Sequence, residues 1–249
     1  MGKLSVVGIG PGNYENMTIR ADRALKECDT IAGYKVYVDL VKDIYPGKNY
    51  FTTAMTGEVE RCRKAIEMAA QGKNVALICS GDSGIYGMAG LVYELAGKPE
   101  SDGSKDAVEI EVIPGITAAC SGASILGAPL THDFAVISLS DRLTEWEKIV
   151  CRLKAAASSD FSIVLYNPAS KGRPEHLKKA CEILLEILPE DRICGVARNI
   201  ARDGEEIRVL TLKELKDADI DMFCTVFIGN SCTIRIGDLM VTPRGYHGV

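Results

Sequence analysis

One stretch limits what this chain can become. The apolar run Val75-Ala76-Leu77-Ile78 passes at once into Cys79-Ser80-Gly81-Asp82-Ser83-Gly84-Ile85-Tyr86-Gly87-Met88-Ala89-Gly90. A strand that ends in small residues and one carboxylate, then enters a helix, places backbone N–H groups and an acid at the open end of a sheet, where a small polar ligand would sit. A glycine-rich turn that only allows close packing has the same composition, and the stretch alone does not separate the two.

With 249 residues, 47% hydrophobic and 25% charged, the chain can build one large α/β domain or two moderate ones. Nine cysteines at 28, 62, 79, 120, 151, 181, 194, 224 and 232 contain no C-x-x-C pair. That pattern indicates neither a disulfide framework nor a metal site and fits a reducing cytoplasm. Met1-Gly2-Lys3-Leu4-Ser5-Val6 runs straight into a strand, and no apolar stretch reaches about 18 residues, so neither export nor a membrane partner is expected. A net charge of −5 with dispersed basic residues argues against a nucleic-acid partner. An acidic small molecule stays open, because a few converging Lys and Arg can hold carboxylates within an acidic protein.

Strands and helices alternate along the chain. Residues 4–9 read as a strand, 10–13 as a turn, and Thr18 caps a helix with Ile19, Ala21, Ala24 and Leu25 on one side. A short strand at 29–33 is followed by Tyr34-Lys35-Val36-Tyr37. The spacing of Val59, Cys62, Ala65, Ile66 and Ala69 predicts a helix over 58–71, ended by Gly72. Strand 75–79, helix 84–97, a surface loop at 99–106 and strand 108–113 follow. Pro114-Gly115 breaks the chain before a small-residue helix over 117–124, and the domain boundary is placed there, giving residues 1–113 and 114–249. Beyond it come strand 134–139, helix 145–157, strand 161–166, helix 174–188 and strand 193–197. Runs at 208–210, 223–228 and 234–241 look like strands with short connections, which predicts a mixed sheet.

Val7-Gly8-Ile9-Gly10-Pro11-Gly12 contains G-x-G-x-G but lacks the third glycine and the immediate helix of a dinucleotide fingerprint. No G-x-x-x-x-G-K-[ST] is present. Taken in order, that segment, Ser80-Gly81-Asp82-Ser83-Gly84-Ile85-Tyr86-Gly87, Pro114-Gly115-Ile116-Thr117-Ala118-Ala119 and Ala128-Pro129-Leu130-Thr131-His132 resemble the tetrapyrrole methylase family of S-adenosylmethionine-dependent enzymes, over essentially the whole chain. Residues 34–40, 138–144, 166–171, 229–231 and 240–246 resemble the branch that methylates C17 of a precorrin-3-level macrocycle.

The resemblance implies two α/β domains with the cofactor cleft between them, a homodimer, S-adenosylmethionine as methyl donor, and a tetrapyrrole substrate of cobalamin biosynthesis, with or without cobalt. It implies that Pro11 lies against the cofactor, that Ser80, Gly81, Asp82 and Ile85 contact its amino-acid and ribose portions, and that Thr117 and Ala118 follow from the opposite wall. Asn167 and Ile200 occupy second-domain positions that hold the adenine. Two positions depart from the pattern: Ser83 stands where many relatives have proline, and Ile200 where they have glycine. Methylation at C11, one step later, is the alternative within the family; outside it stand a nucleotide-binding oxidoreductase and a non-catalytic ligand-binding module.

The residues suit that chemistry in their own right. A sulfonium cofactor needs acceptors, donors and a flat apolar slot from separate elements; Asp82 can accept, Thr117 offers a hydroxyl, and small residues allow close approach. Methyl transfer asks mainly for alignment in a dry cleft. The implied contraction of the macrocycle, with loss of C20 from the ring, does need acid–base help, and His132 with Asp133 is the first pair to consider; a loop-orienting His132 is the plainer alternative. Tyr34, Lys35, Arg142, Lys171 and Arg198 could bind peripheral carboxylates, although each alone is equally a solvated surface group. His176 and His247 show no partner pattern and read as structural or surface residues.

Overall fold

The structure is a computed structural model that describes residues 2–54, 56–97, 108–170 and 172–246. The chain divides into two compact units, Met1–Ala118 and Ala119–Val249. The division falls after Ala118 rather than Ile113 because the segment after β5 is tied back to the first unit: Thr18 Oγ1 donates to Pro114 O at 3.4 Å and Gly115 N to Asp82 Oδ2 at 2.9 Å.

In the first unit β1 (Lys3–Gly8), β2 (Thr30–Tyr34), β3 (Asn49–Thr53), β4 (Val75–Cys79) and β5 (Glu109–Ile113) form a sheet in the order β3-β2-β4-β1-β5. Every pairing is parallel. The central strand β4 is buried on both faces, which is why it reads as an unbroken apolar run. Helices α1 (Ile19–Glu27) and α2 (Lys35–Asp39) pack Ala21, Leu25 and Val38 against one face. Helices α3 (Glu58–Ala70) and α4 (Ala89–Ala96) pack Cys62, Ala65, Ala69, Ala89 and Val92 against the other. β1 and β4 end in register, Gly8 opposite Cys79, so the loops leaving β4, β1 and β5 emerge side by side.

The helix signals hold with local corrections. Thr18 Oγ1 accepts from Ala21 N at 3.1 Å, the expected cap, but Ile19 is 80% exposed because the first helical position turns away from the sheet. In α3, Cys62, Ala65 and Ala69 are buried as their spacing requires; Val59 is exposed, and Arg61 and Met68 take inward positions instead. Gly72, at φ +91°, follows the end of α3. Helix α4 starts at Ala89 rather than 84, since residues 83–88 fold back on themselves, with Ala89 N donating to Ser83 O at 3.0 Å. The segment 99–106 lies outside the described residues.

The second unit continues α5 (Ala118–Leu126) into β6 (Gly127–Ala128), β7 (Phe134–Ser138), α6 (Trp146–Ser158), β8 (Ser162–Tyr166), α7 (His176–Leu185), β9 (Ile193–Arg198), β10 (Glu206–Thr211), α8 (Leu212–Lys216), β11 (Cys224–Ile228), β12 (Ile234–Ile236) and β13 (Leu239–Val241). Its main sheet, β10-β9-β11-β8-β7, is mixed as expected: β7 and β8 run parallel and the remaining pairs antiparallel. The run 234–241 is a hairpin, broken at Gly237 with φ +60°, and joins β6 in a small separate sheet. Among the described residues no helix is long and apolar enough to cross a membrane.

Candidate functional site

The three loops at the ends of β1, β4 and β5 meet through glycine. Gly10 N donates to Gly81 O at 3.1 Å and Gly81 N to Gly10 O at 2.8 Å, an antiparallel bridge that stitches the first loop to the second. A Cβ on Gly115 would stand 2.1 Å from Gly81 O and 2.6 Å from Gly8 O, so the third loop also touches the other two backbone to backbone. Gly10 and Gly81 sit at φ +75° and +69°, which side-chain-bearing residues adopt only with strain. The close approach of Gly115 is the feature that the sequence conceals: Pro114-Gly115 reads there only as a chain break.

Asp82 and Ser83 brace this junction. Asp82 Oδ1 accepts from Gly84 N at 2.7 Å and Ile85 N at 3.1 Å, and Oδ2 from Gly115 N at 2.9 Å. Three of the carboxylate's roughly four lone-pair directions are thus taken by backbone, which makes Asp82 first a positioning residue for the two loops. Ser83 is fully buried, and its Oγ donates to Ile113 O at 2.9 Å, so the turn that proline would stiffen is secured here by a bond to the end of β5. Around the junction Pro11 is buried, Ser80, Thr117 and Ala118 are half-buried, and Ile85 is exposed. The site of a Cβ on Gly81 lies 3.6 Å from Thr117 Cα, ordinary contact distance. Two hydroxyls, glycine backbone and an apolar side chain fit a zwitterionic nucleoside ligand; residues 8–12, 80–90 and 114–118 contain no Lys or Arg to hold a phosphate.

The remaining expected residues lie elsewhere. In the first unit Lys35 Nζ pairs with Asp39 Oδ2 at 2.7 Å, and Tyr34 packs edge-on against Tyr37 with ring centroids 5.2 Å apart. In the second unit Arg198 pairs with Asp221, and Arg142 is exposed on the bend after β7. Lys171 and His247 lie outside the described residues. His132 Nε2 donates to Pro243 O at 2.9 Å, a contact that holds the segment after β13; among the described residues no hydrogen bond joins the His132 and Asp133 side chains. Asn167, at φ +54°, donates from Nδ2 to Ser138 Oγ at 2.9 Å. Ile200 is buried, and the sharp backbone turn expected of a glycine is carried by its neighbours Asn199 and Ala201, at φ +49° and +55°.

His176 does have a partner. Its Nε2 lies 3.1 Å from Asp141 Oδ2, an ion-pair distance whose alignment falls short of a good hydrogen bond, and its ring meets Trp146 edge-on at 5.0 Å. Arg173 Nη1 donates to Ser140 Oγ at 2.5 Å and Nε to Ser170 Oγ at 3.3 Å. Ser140 and Asp141 after β7 are thereby joined to Ser170, Arg173 and His176 after β8, at the ends of these two parallel strands. Nothing in the spacing of Asp141, Arg173 and His176 announces this, because the contact depends on which two strands are neighbours.

A parallel sheet whose neighbouring loops fuse through Gly8, Gly81 and Gly115, followed by a unit with a mixed sheet, defines a class. Residues 3–216 match the model of the tetrapyrrole (corrin/porphyrin) methylases, and the chain belongs to that family. It is 48% identical, over 98% of its length, to the cobalt-factor III methyltransferase of Priestia megaterium, of which it covers only 45%. Its identity to the probable cobalt-factor III C(17)-methyltransferase of Salmonella typhimurium is 47%, with 98% of this chain and 99% of the relative covered. Among solved structures, that of the methyltransferase CobJ matches with a TM-score of 0.88 and 38% identity, over 98% of this chain and 100% of the other.

Proposed function

We propose that this chain transfers a methyl group from S-adenosylmethionine to C17 of cobalt-factor III, coupled to contraction of the macrocycle, in cobalamin biosynthesis. The observation that carries the reading is the glycine-fused junction of loops 8–12, 80–85 and 114–118 in a chain nearly half identical to relatives named for that reaction. The relatives' names favour the cobalt-bearing macrocycle as substrate and C17 over C11 as the methylated carbon.

In this reading Pro11, Ser80, Gly81, Ile85, Thr117 and Ala118 hold the cofactor, Asp82 keeps their loops in place, and Asn167 and Ile200 contribute from the second unit. The cofactor supplies a prebuilt methyl electrophile, so the protein's part is to align and to exclude water. His132 and Asp133 are proposed for the acid–base demand of ring contraction, and Tyr34, Lys35, Arg142, Lys171 and Arg198 for the substrate's carboxylates. The same kinship suggests a cytoplasmic homodimer, a state that sedimentation measures. The test is incubation of the protein with cobalt-factor III and methyl-labelled S-adenosylmethionine. Label at C17 of a contracted macrocycle is expected; label at C11, or none with active cofactor and substrate, overturns the assignment.

A further inference from the structure

Arg61 is the sole Lys or Arg among the described residues that is buried, at 1% exposure, and it heads the fully buried side chains in volume. Its Nε and Nη1 are shut off from solvent and have no hydrogen-bond partner among the described residues. The acids nearest in sequence, Glu58 and Glu60, are exposed on the first turn of α3, and no ion pair with Arg61 is found among the described residues. Arginine does not shed its proton in a protein, so this position holds a fixed positive charge. A lone buried charge is strongly unfavourable unless something pairs with it.

Its place in the fold says what that something does. Arg61 lies on the first turn of α3, which begins just after β3 ends at Thr53; because β3, β2 and β4 run parallel, that turn stands at the same edge of the sheet as Cys79, the last residue of β4. Cys79 leads directly into Ser80-Gly81-Asp82, and its Sγ accepts from Met88 N at 3.4 Å, closing the base of the 80–88 loop. This guanidinium, without a partner among the described residues, therefore stands at the sheet edge from which the loop given to the cofactor by the methylase reading emerges.

We propose that Arg61 is an anion receptor of this site and that its partner is a carboxylate brought by a ligand. The inference rests on the methylase reading, which offers two sources: the amino-acid end of the cofactor and the side chains of the tetrapyrrole. The planar fork of donors on a guanidinium matches a carboxylate from either.

The test is Arg61→Met, which keeps an unbranched stem and removes the charge. Melting of the ligand-free protein and calorimetric binding of S-adenosylhomocysteine, 5′-methylthioadenosine, which lacks the carboxylate, and cobalt-factor III are compared with wild type. Removing an unpaired buried charge should leave the melting temperature unchanged or raise it by up to about 3 °C. Affinity for a carboxylate ligand should fall by roughly tenfold or more while that for 5′-methylthioadenosine holds. A fall for S-adenosylhomocysteine assigns the carboxylate to the cofactor; a fall for cobalt-factor III alone assigns it to the substrate. A lower melting temperature or failure to fold makes Arg61 structural and overturns the proposal, as do unchanged affinities or an equal loss for 5′-methylthioadenosine. Wild-type protein that binds neither S-adenosylhomocysteine nor cobalt-factor III overturns the methylase reading itself, and this inference with it.

Discussion

The two units close the ends of their parallel strands by opposite means. In the first, backbone meets backbone at Gly8, Gly81 and Gly115, and the side chains of Asp82 and Ser83 are bonded to main chain. In the second, loops are joined side chain to side chain, through Arg173 with Ser140 and Ser170, His176 with Asp141, and Asn167 with Ser138. Backbone contact has no rotamer with which to relax, so the first junction is rigid and intolerant. A network of half-exposed polar side chains can rearrange around a lost member and responds to pH.

Gly115→Ala should break the first junction outright. The new Cβ meets carbonyl oxygens of two other loops, and a cost of about 3 kcal/mol or more is expected in denaturant unfolding. A variant within about 0.5 kcal/mol of wild type would mean that the loops part freely, and the contrast between the units would fail. Asp82→Ala comes next. It leaves three backbone N–H groups without their acceptor, worth about 2 kcal/mol, and should weaken S-adenosylhomocysteine binding in a protein that still folds. Unchanged affinity would separate the junction from the cofactor.

The smallest effect is expected in the second unit. The His176 ring beside Asp141 holds its carboxyl below the ordinary value, with Arg173 adding to the shift and partial burial opposing it. A lowered carboxyl stabilises the fold above its unfolded value, and that contribution is lost as pH falls through the folded value. Asp141→Asn should therefore cost under about 1 kcal/mol near neutrality, because water reaches the Asp141 side chain, 38% exposed, although His176 is only 12% exposed. Wild type should then lose more stability than the variant between about pH 5 and pH 2. Parallel acid profiles would show that the pair is energetically idle.

What the chain disclosed about itself follows the same division. Glycine at forced positions leaves a mark in sequence, so Gly10 and Gly81 pointed to their loops, and the buried run 75–79 gave the central strand. The alternating first half and mixed second half were legible from periodicity and turn residues. The short strand β3, Asn-Tyr-Phe-Thr-Thr, and the five-residue α8 carry too little periodicity to stand out. Arg61 and the Asp141–His176 pair were hidden for a different reason: an arginine on a helix and a histidine near a proline read as surface groups until the sheet order places them. The shorter α4 is not legible in sequence because the fold-back at 83–88 is imposed by hydrogen bonds made with Asp82 and Ser83, not by local helix propensity.

The glycine junction of the first unit is the proposed seat of the cofactor. Amide hydrogen exchange with and without S-adenosylhomocysteine tests it directly, residue by residue. Added protection is expected in segments 9–12, 80–86 and 115–118, and markedly less in the strands beneath them. Protection that spares all three segments while the ligand is demonstrably bound would contradict it.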